Sequence, residues 1–127
     1  MDKISCHGSI MIVDDEIFFR TMLREILTEV GFDVICEAAN GIEAIEKYSV
    51  HRPELTIIDI YMPGKNGFEI AKEIFSIDKD AKVLMCSGSG YDEDVQVALK
   101  MGVSDVIQKP FIPVELIGTI KKVLGEV

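Results

Sequence analysis

Five residues in this chain have types and positions suited to chemistry: Asp14, Asp15, Asp59, Ser87 and Lys109. Each falls where an aliphatic run ends. Ser9-Ile10-Met11-Ile12-Val13 precedes the two aspartates and Glu16, and Leu55-Thr56-Ile57-Ile58 leads into Asp59. Lys82-Val83-Leu84-Met85-Cys86 precedes Ser87, and Ser104-Asp105-Val106-Ile107-Gln108 precedes Lys109. If those runs are parallel strands, everything just after them lands on one rim. Three carboxylates gathered there repel one another unless a cation sits among them. Their donors are all oxygen, with no His or Cys, which favours a hard ion such as Mg2+ or Mn2+ over zinc. A lysine and a hydroxyl opposite supply the positive charge and the donor that a phosphoryl oxygen needs. A carboxylate can itself be the nucleophile, giving an aspartyl phosphate. Taken singly, each residue has a plainer reading. Asp59 closes a strand as a turn-former, Asp15 caps a helix, Ser87 belongs to a glycine-rich loop and Lys109 is a surface charge. Their joint placement on successive strand ends favours the chemical reading.

The intervening segments supply the elements that such a rim requires. Leu55 to Asp59 is aliphatic without alternation, the pattern of a strand buried on both faces, and Pro63-Gly64 then breaks the chain into a loop. After the acidic trio, Phe19, Met22, Leu23, Ile26, Leu27 and Val30 recur at helical spacing, with Gly31 as a left-handed cap and Phe32 placed to pack back. Val34 to Ala38 reads as the second strand. Asn40 and Glu43 have capping-box spacing ahead of a helix that carries Ile42, Ile45 and Tyr48 and ends by Pro53. A third helix runs from about Phe68 to Ser76, with Phe68, Ile70, Ala71, Ile74 and Phe75 available to its buried side. Asp92-Glu93-Asp94 opens a fourth at its positive end, and Gly102 stops it. Pro113 opens the fifth as a first-turn proline, with Leu116, Ile117, Ile120, Val123 and Leu124 facing inward. Five strands alternating with five helices, about 25 residues apart, predict a doubly wound α/β parallel sheet with right-handed crossovers. Residues 1–8 read as a tail, 9–127 as one domain, with no linker, repeat or low-complexity block inside it.

At 127 residues and 48% hydrophobic content the chain can bury a full core. Its net charge of −9 disfavours nucleic acid or an anionic membrane as a direct ligand and favours a cation or a basic partner surface. No run of roughly 18 apolar residues and no secretory leader is present, which suggests a cytoplasmic protein. Cys6, Cys36 and Cys86 are odd in number and lack metal spacing; Cys36 and Cys86 read as small core residues in a reducing compartment. Cys6-His7 and His51 have nothing nearby to complete a metal site.

Together the motifs Ile12-Val13-Asp14-Asp15-Glu16, Asp59 with Met62-Pro63 and Gly67, Cys86-Ser87-Gly88 and Lys109-Pro110-Phe111 resemble the receiver domains of two-component response regulators, the chemotaxis receivers in particular. The match runs from Ser9 to the last helix. It implies a flavodoxin-like sheet in the order 2-1-3-4-5 and a cis bond at Lys109-Pro110, X-Pro being where cis is cheap. It implies that Asp59 accepts phosphate from the histidine of a sensor kinase or phosphotransfer protein. Asp15, Asp59 and the Tyr61 carbonyl would bind Mg2+ directly, and Asp14 through water. Ser87 and Lys109 would hold the phosphoryl group and couple it to an output partner at helix four, strand five and helix five. That face carries Glu93, Lys100 and Lys121. The chain departs from the family at Val106, where an aromatic residue is usual, and Tyr61 and Ser89 occupy variable positions that influence phosphate lifetime.

Rival chemistries fit less well. A flavin site needs a hydroxyl- and glycine-rich loop after strand one, and Asp14-Asp15-Glu16 has the opposite charge. A dinucleotide enzyme fails because Gly88-Ser89-Gly90 lacks the third glycine and follows strand four. A Mg2+-dependent phosphatase would want a general acid two residues beyond Asp59, where Tyr61 is a poor one at neutral pH. A receiver-shaped interaction module that is never phosphorylated would have no need of all five positions.

Overall fold

The computed structural model describes residues 8–88 and 92–125, apart from the side chain of Asp92. The tail with Cys6 and His7, and the variable-position Ser89, lie outside the described residues. The elements run β1 (Ser9–Val13), α1 (Ile17–Glu29), β2 (Asp33–Ala38), α2 (Gly41–His51), β3 (Leu55–Asp59), α3 (Gly67–Ile77), β4 (Val83–Ser87), α4 (Asp92–Met101), β5 (Asp105–Gln108) and α5 (Pro113–Val123). All strand pairs are parallel, in the order β2-β1-β3-β4-β5. The doubly wound sheet predicted from the alternation and the strand order implied by the resemblance are both observed.

Alternation along each strand divides the apolar residues between two faces. Ile10, Ile12, Leu55, Ile57 and Leu84 pack with Leu23, Leu27, Leu116 and Ile120 under α1 and α5. Met11, Val13, Ile58 and Met85 pack with Ala44, Tyr48, Ile70, Ile74 and Ala98 under α2, α3 and α4. β3 and β4 are buried at every residue, as central strands of a parallel sheet must be, whereas the edge strand β5 has no fully buried residue.

Local signals act largely as read. Gly31, at φ +107°, ends α1 with Phe32 N–H donating to the Leu27 carbonyl, and buried Phe32 packs in the same cluster as Leu27. Gly102, at φ +104°, ends α4 the same way, with Val103 N–H on the Ala98 carbonyl. Two details differ from expectation. Asn40 does cap α2 by accepting from Glu43 N–H, but the Glu43 carboxylate reaches back to Ala39 N–H, one residue beyond the N–H that would close the box. The complete box lies at α3, where Asn66 and Glu69 satisfy each other's backbone donors. Ile42 points to solvent, 71% exposed, because α2 turns Ala44 and Tyr48 to the sheet instead. No helix among the described residues is long and apolar enough to cross a membrane.

Candidate functional site

The strand ends are pinned to one another beyond the ladders themselves. Asp14 N–H donates to the Ala38 carbonyl, Ile60 N–H to the Cys86 carbonyl and Lys109 N–H to the Ser87 carbonyl, at 3.0, 3.0 and 2.8 Å. Each extends a parallel pairing by one residue, so the rim residues have fixed heights relative to one another. Gly67 sets the back wall. Its N–H donates to the Ile60 carbonyl at 2.7 Å, and a Cβ on it would lie 2.5 Å from the Asp59 carbonyl oxygen. Only glycine lets α3 begin this close behind Asp59. Met62, Pro63 and Gly64 carry the chain around to that point, with Gly64 at φ +79°.

The rim gathers the predicted residues. Donor oxygens of Asp14, Asp15 and Asp59 lie within 4.8 Å of one another. Asp14 and Asp59 are buried at 5% and 7% exposure, while Asp15 is exposed at the mouth. Lys109 Nζ donates to Asp14 Oδ2 at 2.7 Å and stands 3.6 Å from Asp59 Oδ2. Asp14 Oδ1 accepts from Glu16 N–H at 2.9 Å. Ser87 is buried at the end of β4, one residue beyond Cys86, the register partner of Asp59. The Tyr61 hydroxyl donates to Asp94 Oδ2 at 2.5 Å. A cleft of about 500 Å3 opens over Asp59, lined by Glu16, Phe19, Tyr61, Gly88, Lys109 and Pro110. The Lys109-Pro110 bond is cis, as the resemblance implied.

Burial beside two other carboxylates governs the charge state. Desolvation pushes the Asp59 carboxyl up to about 6; Lys109 pulls it back, while Asp14 and Asp15 push further. Burial alone would lower the Lys109 ammonium. Its hydrogen bond to Asp14 and the charges of Asp59 and Asp14 more than reverse that, so it sits above the usual lysine value. The site therefore holds a charged lysine against three acids, a net excess of negative charge. All-oxygen donors, two of them buried, fit a hard divalent cation, which would offset that excess. Cys86 beneath the rim is fully buried and its thiol is pushed far up by desolvation, consistent with an inert core residue; Cys36 is only half-buried.

Sequence reasoning missed several residues that support the rim. Phe19, expected in the core, lies under the Lys109 ammonium at 3.9 Å from ring centroid to Nζ, and Phe111 meets it edge-on at 6.3 Å. Arg20 donates from Nη1 to the Asp14 carbonyl at 2.6 Å and from Nε to Glu37 at 3.1 Å, tying the acidic turn to β2. Glu37 also accepts from Arg24 at 2.5 Å. Helical periodicity registers Phe19 as one more apolar position and Arg20 as a surface charge. Their nearness to the acidic trio was the available signal.

Comparison with known proteins agrees with this geometry. The family model for the response regulator receiver domain matches residues 10–121. The chain is 44% identical to the chemotaxis protein CheY of Thermotoga maritima over 114 residues, covering 90% of this chain and 95% of that one. It is also 44% identical to CheY of Bacillus subtilis over 116 residues, covering 91% and 97%. Among solved structures, a chain of the CheX-CheY-BeF3-Mg2+ complex of Borrelia burgdorferi superposes with a TM-score of 0.88 at 33% identity, covering 91% of this chain and 87% of that one. The family model spanning residues 10–121, and the 44%-identical chemotaxis relatives matched over nearly their whole length, place this chain, with its 2-1-3-4-5 parallel sheet, in the response regulator receiver domain family, of CheY type.

Proposed function

We propose that the chain is the phosphoacceptor of a two-component system, with Asp59 as the residue phosphorylated. The observation that carries this is the convergence of Asp14, Asp15 and Asp59 within 4.8 Å, with the Lys109 ammonium between Asp14 and Asp59. An Asp59 oxygen bonds to phosphorus, the phosphorus–nitrogen bond of a donor phosphohistidine breaks, and the imidazole leaves with its electron pair. Because the Asp59 carboxyl lies at about 6, it is mostly ionised at neutral pH and ready to attack. Lys109 supplies positive charge to the incoming phosphoryl oxygens, and Ser87 supplies a hydroxyl donor from the adjacent strand end. Asp15, Asp59 and the Tyr61 carbonyl would hold Mg2+ directly, and Asp14 through water. When bound, that ion neutralises the repulsion between the acids and the phosphoryl group.

The donor is a sensor histidine kinase or a phosphotransfer protein, and the outcome is a signal to an output partner rather than turnover of a substrate. The output face is α4, β5 and α5, where Glu93 and Lys100 are exposed and Lys121 half-buried. Val106 on β5 is half-buried and paired with Met85. It is a stiff β-branched side chain too small to serve as an aromatic lever, so activation works through the start of α4. The free thiols of Cys36 and Cys86 suit the reducing cytoplasm in which such a system operates. Incubation with acetyl phosphate and Mg2+, followed by intact mass measurement, tests the reading. A gain of about 80 Da is expected for the wild type and none for Asp59→Asn. Equal labelling of the variant, mapped to another residue, overturns it.

A further inference from the structure

Two residues after Asp59 the chain sends a tyrosine ring along the wall of the Asp59 cleft and ties its far end to another element. Tyr61 lines that cleft together with Phe19, Gly88 and Lys109. The residue is 54% exposed, so it is not enclosed in the core. Its hydroxyl donates to Asp94 Oδ2 at 2.5 Å. Asp94 lies in the first turn of α4, across the rim from the β3–α3 connection. A phenol donating to a carboxylate makes a short, charge-assisted bond, stronger than one between neutral groups. The ring is thus braced from both ends: by the backbone next to Asp59 and by α4.

We infer that Asp94 is a positioning residue for the Asp59 site: it anchors the Tyr61 ring as a wall over the cleft, so that the lifetime of a phosphoryl group on Asp59 depends on where α4 stands. The inference rests on the proposed phosphorylation of Asp59. Hydrolysis of that acyl phosphate requires water to reach phosphorus. The water oxygen bonds to phosphorus, the bond from phosphorus to the Asp59 oxygen breaks, the carboxylate is restored, and inorganic phosphate leaves with the proton passing to solvent. A ring held along the cleft narrows the approach for that water; a ring released to its other rotamers opens it. Since the anchor belongs to α4, anything that moves the start of α4 also moves the wall. A partner that grips α4 with the tether intact raises the population of the held ring and slows loss of the phosphoryl group, and one that pulls Asp94 away hastens it.

The test is the decay of phosphorylated protein after removal of acetyl phosphate, followed by intact mass at constant Mg2+. Losing a charge-assisted bond at a half-exposed position changes the held population about fivefold, and that is the acceleration expected for Asp94→Ala and for Tyr61→Phe alike. The double variant should decay no faster than either single one, because both remove the same bond. Asp94→Asn keeps an acceptor oxygen and should remain near the wild-type rate. In 3-fluorotyrosine-labelled protein, the 19F resonance assigned to Tyr61 should shift in Asp94→Ala and stay in place in Asp94→Asn. Wild-type protein that takes no label overturns the phosphoacceptor reading and this inference with it. Normal labelling with equal decay in all variants, or with additive acceleration in the double variant, overturns the tether alone.

Discussion

Replacing Asp59 with asparagine should stabilise the metal-free protein, although it removes the residue on which the proposed function depends. The reasoning starts from the Asp59 carboxyl, whose value rises from an ordinary 3.8 to about 6 in the folded chain, chiefly through burial. A group held above its unfolded value keeps its proton in the folded state at pH values where the unfolded chain has lost it. Stability is therefore fully retained below about pH 4, falls as the pH rises toward 6, and carries the whole penalty above that. The gap between 3.8 and about 6 corresponds to about 3 kcal/mol. Asp59 opens onto a solvated cleft, and Lys109 loses one of its two acidic neighbours in the variant, so about 1–2 kcal/mol should survive. Lys109 keeps its closer partner Asp14, at 2.7 Å, and is not left unpaired. Urea denaturation followed by circular dichroism is the appropriate assay, since the chain has no tryptophan. In EDTA at about pH 7.5 the variant should be more stable by that amount, and at about pH 4 the difference should nearly vanish. Excess Mg2+ should reverse the order by stabilising only the wild type. A variant that is equally stable or less stable at neutral pH, with a pH-independent difference, would refute the claim that burying the Asp59 carboxylate at this rim strains the fold.

Three further outcomes follow from particular contacts. Gly67→Ala places a methyl group 2.5 Å from the Asp59 carbonyl oxygen and 2.8 Å from Ile60 Cα, both backbone atoms that cannot swing aside. It should cost about 2–3 kcal/mol in denaturation experiments and also slow labelling of Asp59. Thr56 is fully buried on β3 with its hydroxyl lacking any hydrogen-bond partner among the described residues. Thr56→Val should raise stability by about 1 kcal/mol and leave labelling alone, and a loss of stability would show that the hydroxyl is satisfied in solution. Arg20→Gln removes the charged link from the Asp14 carbonyl to Glu37 and should weaken Mg2+ binding by calorimetry several-fold, about 1 kcal/mol.

Much of this molecule is legible in its residues alone because parallel α/β architecture is written in local signals. Unalternating aliphatic runs identify central strands, since only a strand covered on both faces tolerates them. Gly31 and Gly102 mark helix ends because few other residues accept a positive φ. Strand-end position then places Asp14, Asp15, Asp59, Ser87 and Lys109 on one rim without any knowledge of distances, because parallel strands all finish on the same side. The family likeness drew on those same residues.

What required the tertiary structure was every relationship across elements that carries no periodic mark. Asn40 with Glu43 and Asn66 with Glu69 share one spacing, yet only the second pair closes its box, because the first glutamate finds Ala39 N–H instead. Ile42 is apolar but exposed, since the orientation of α2 is set by packing against the sheet and not by its own sequence. Phe19 under Lys109, Arg20 on the Asp14 carbonyl and Tyr61 on Asp94 join residues from different elements at distances that only the folded chain fixes. The sequence determined which residues would meet at the rim; the packing of α1, α3 and α4 around it decided what holds each of them there.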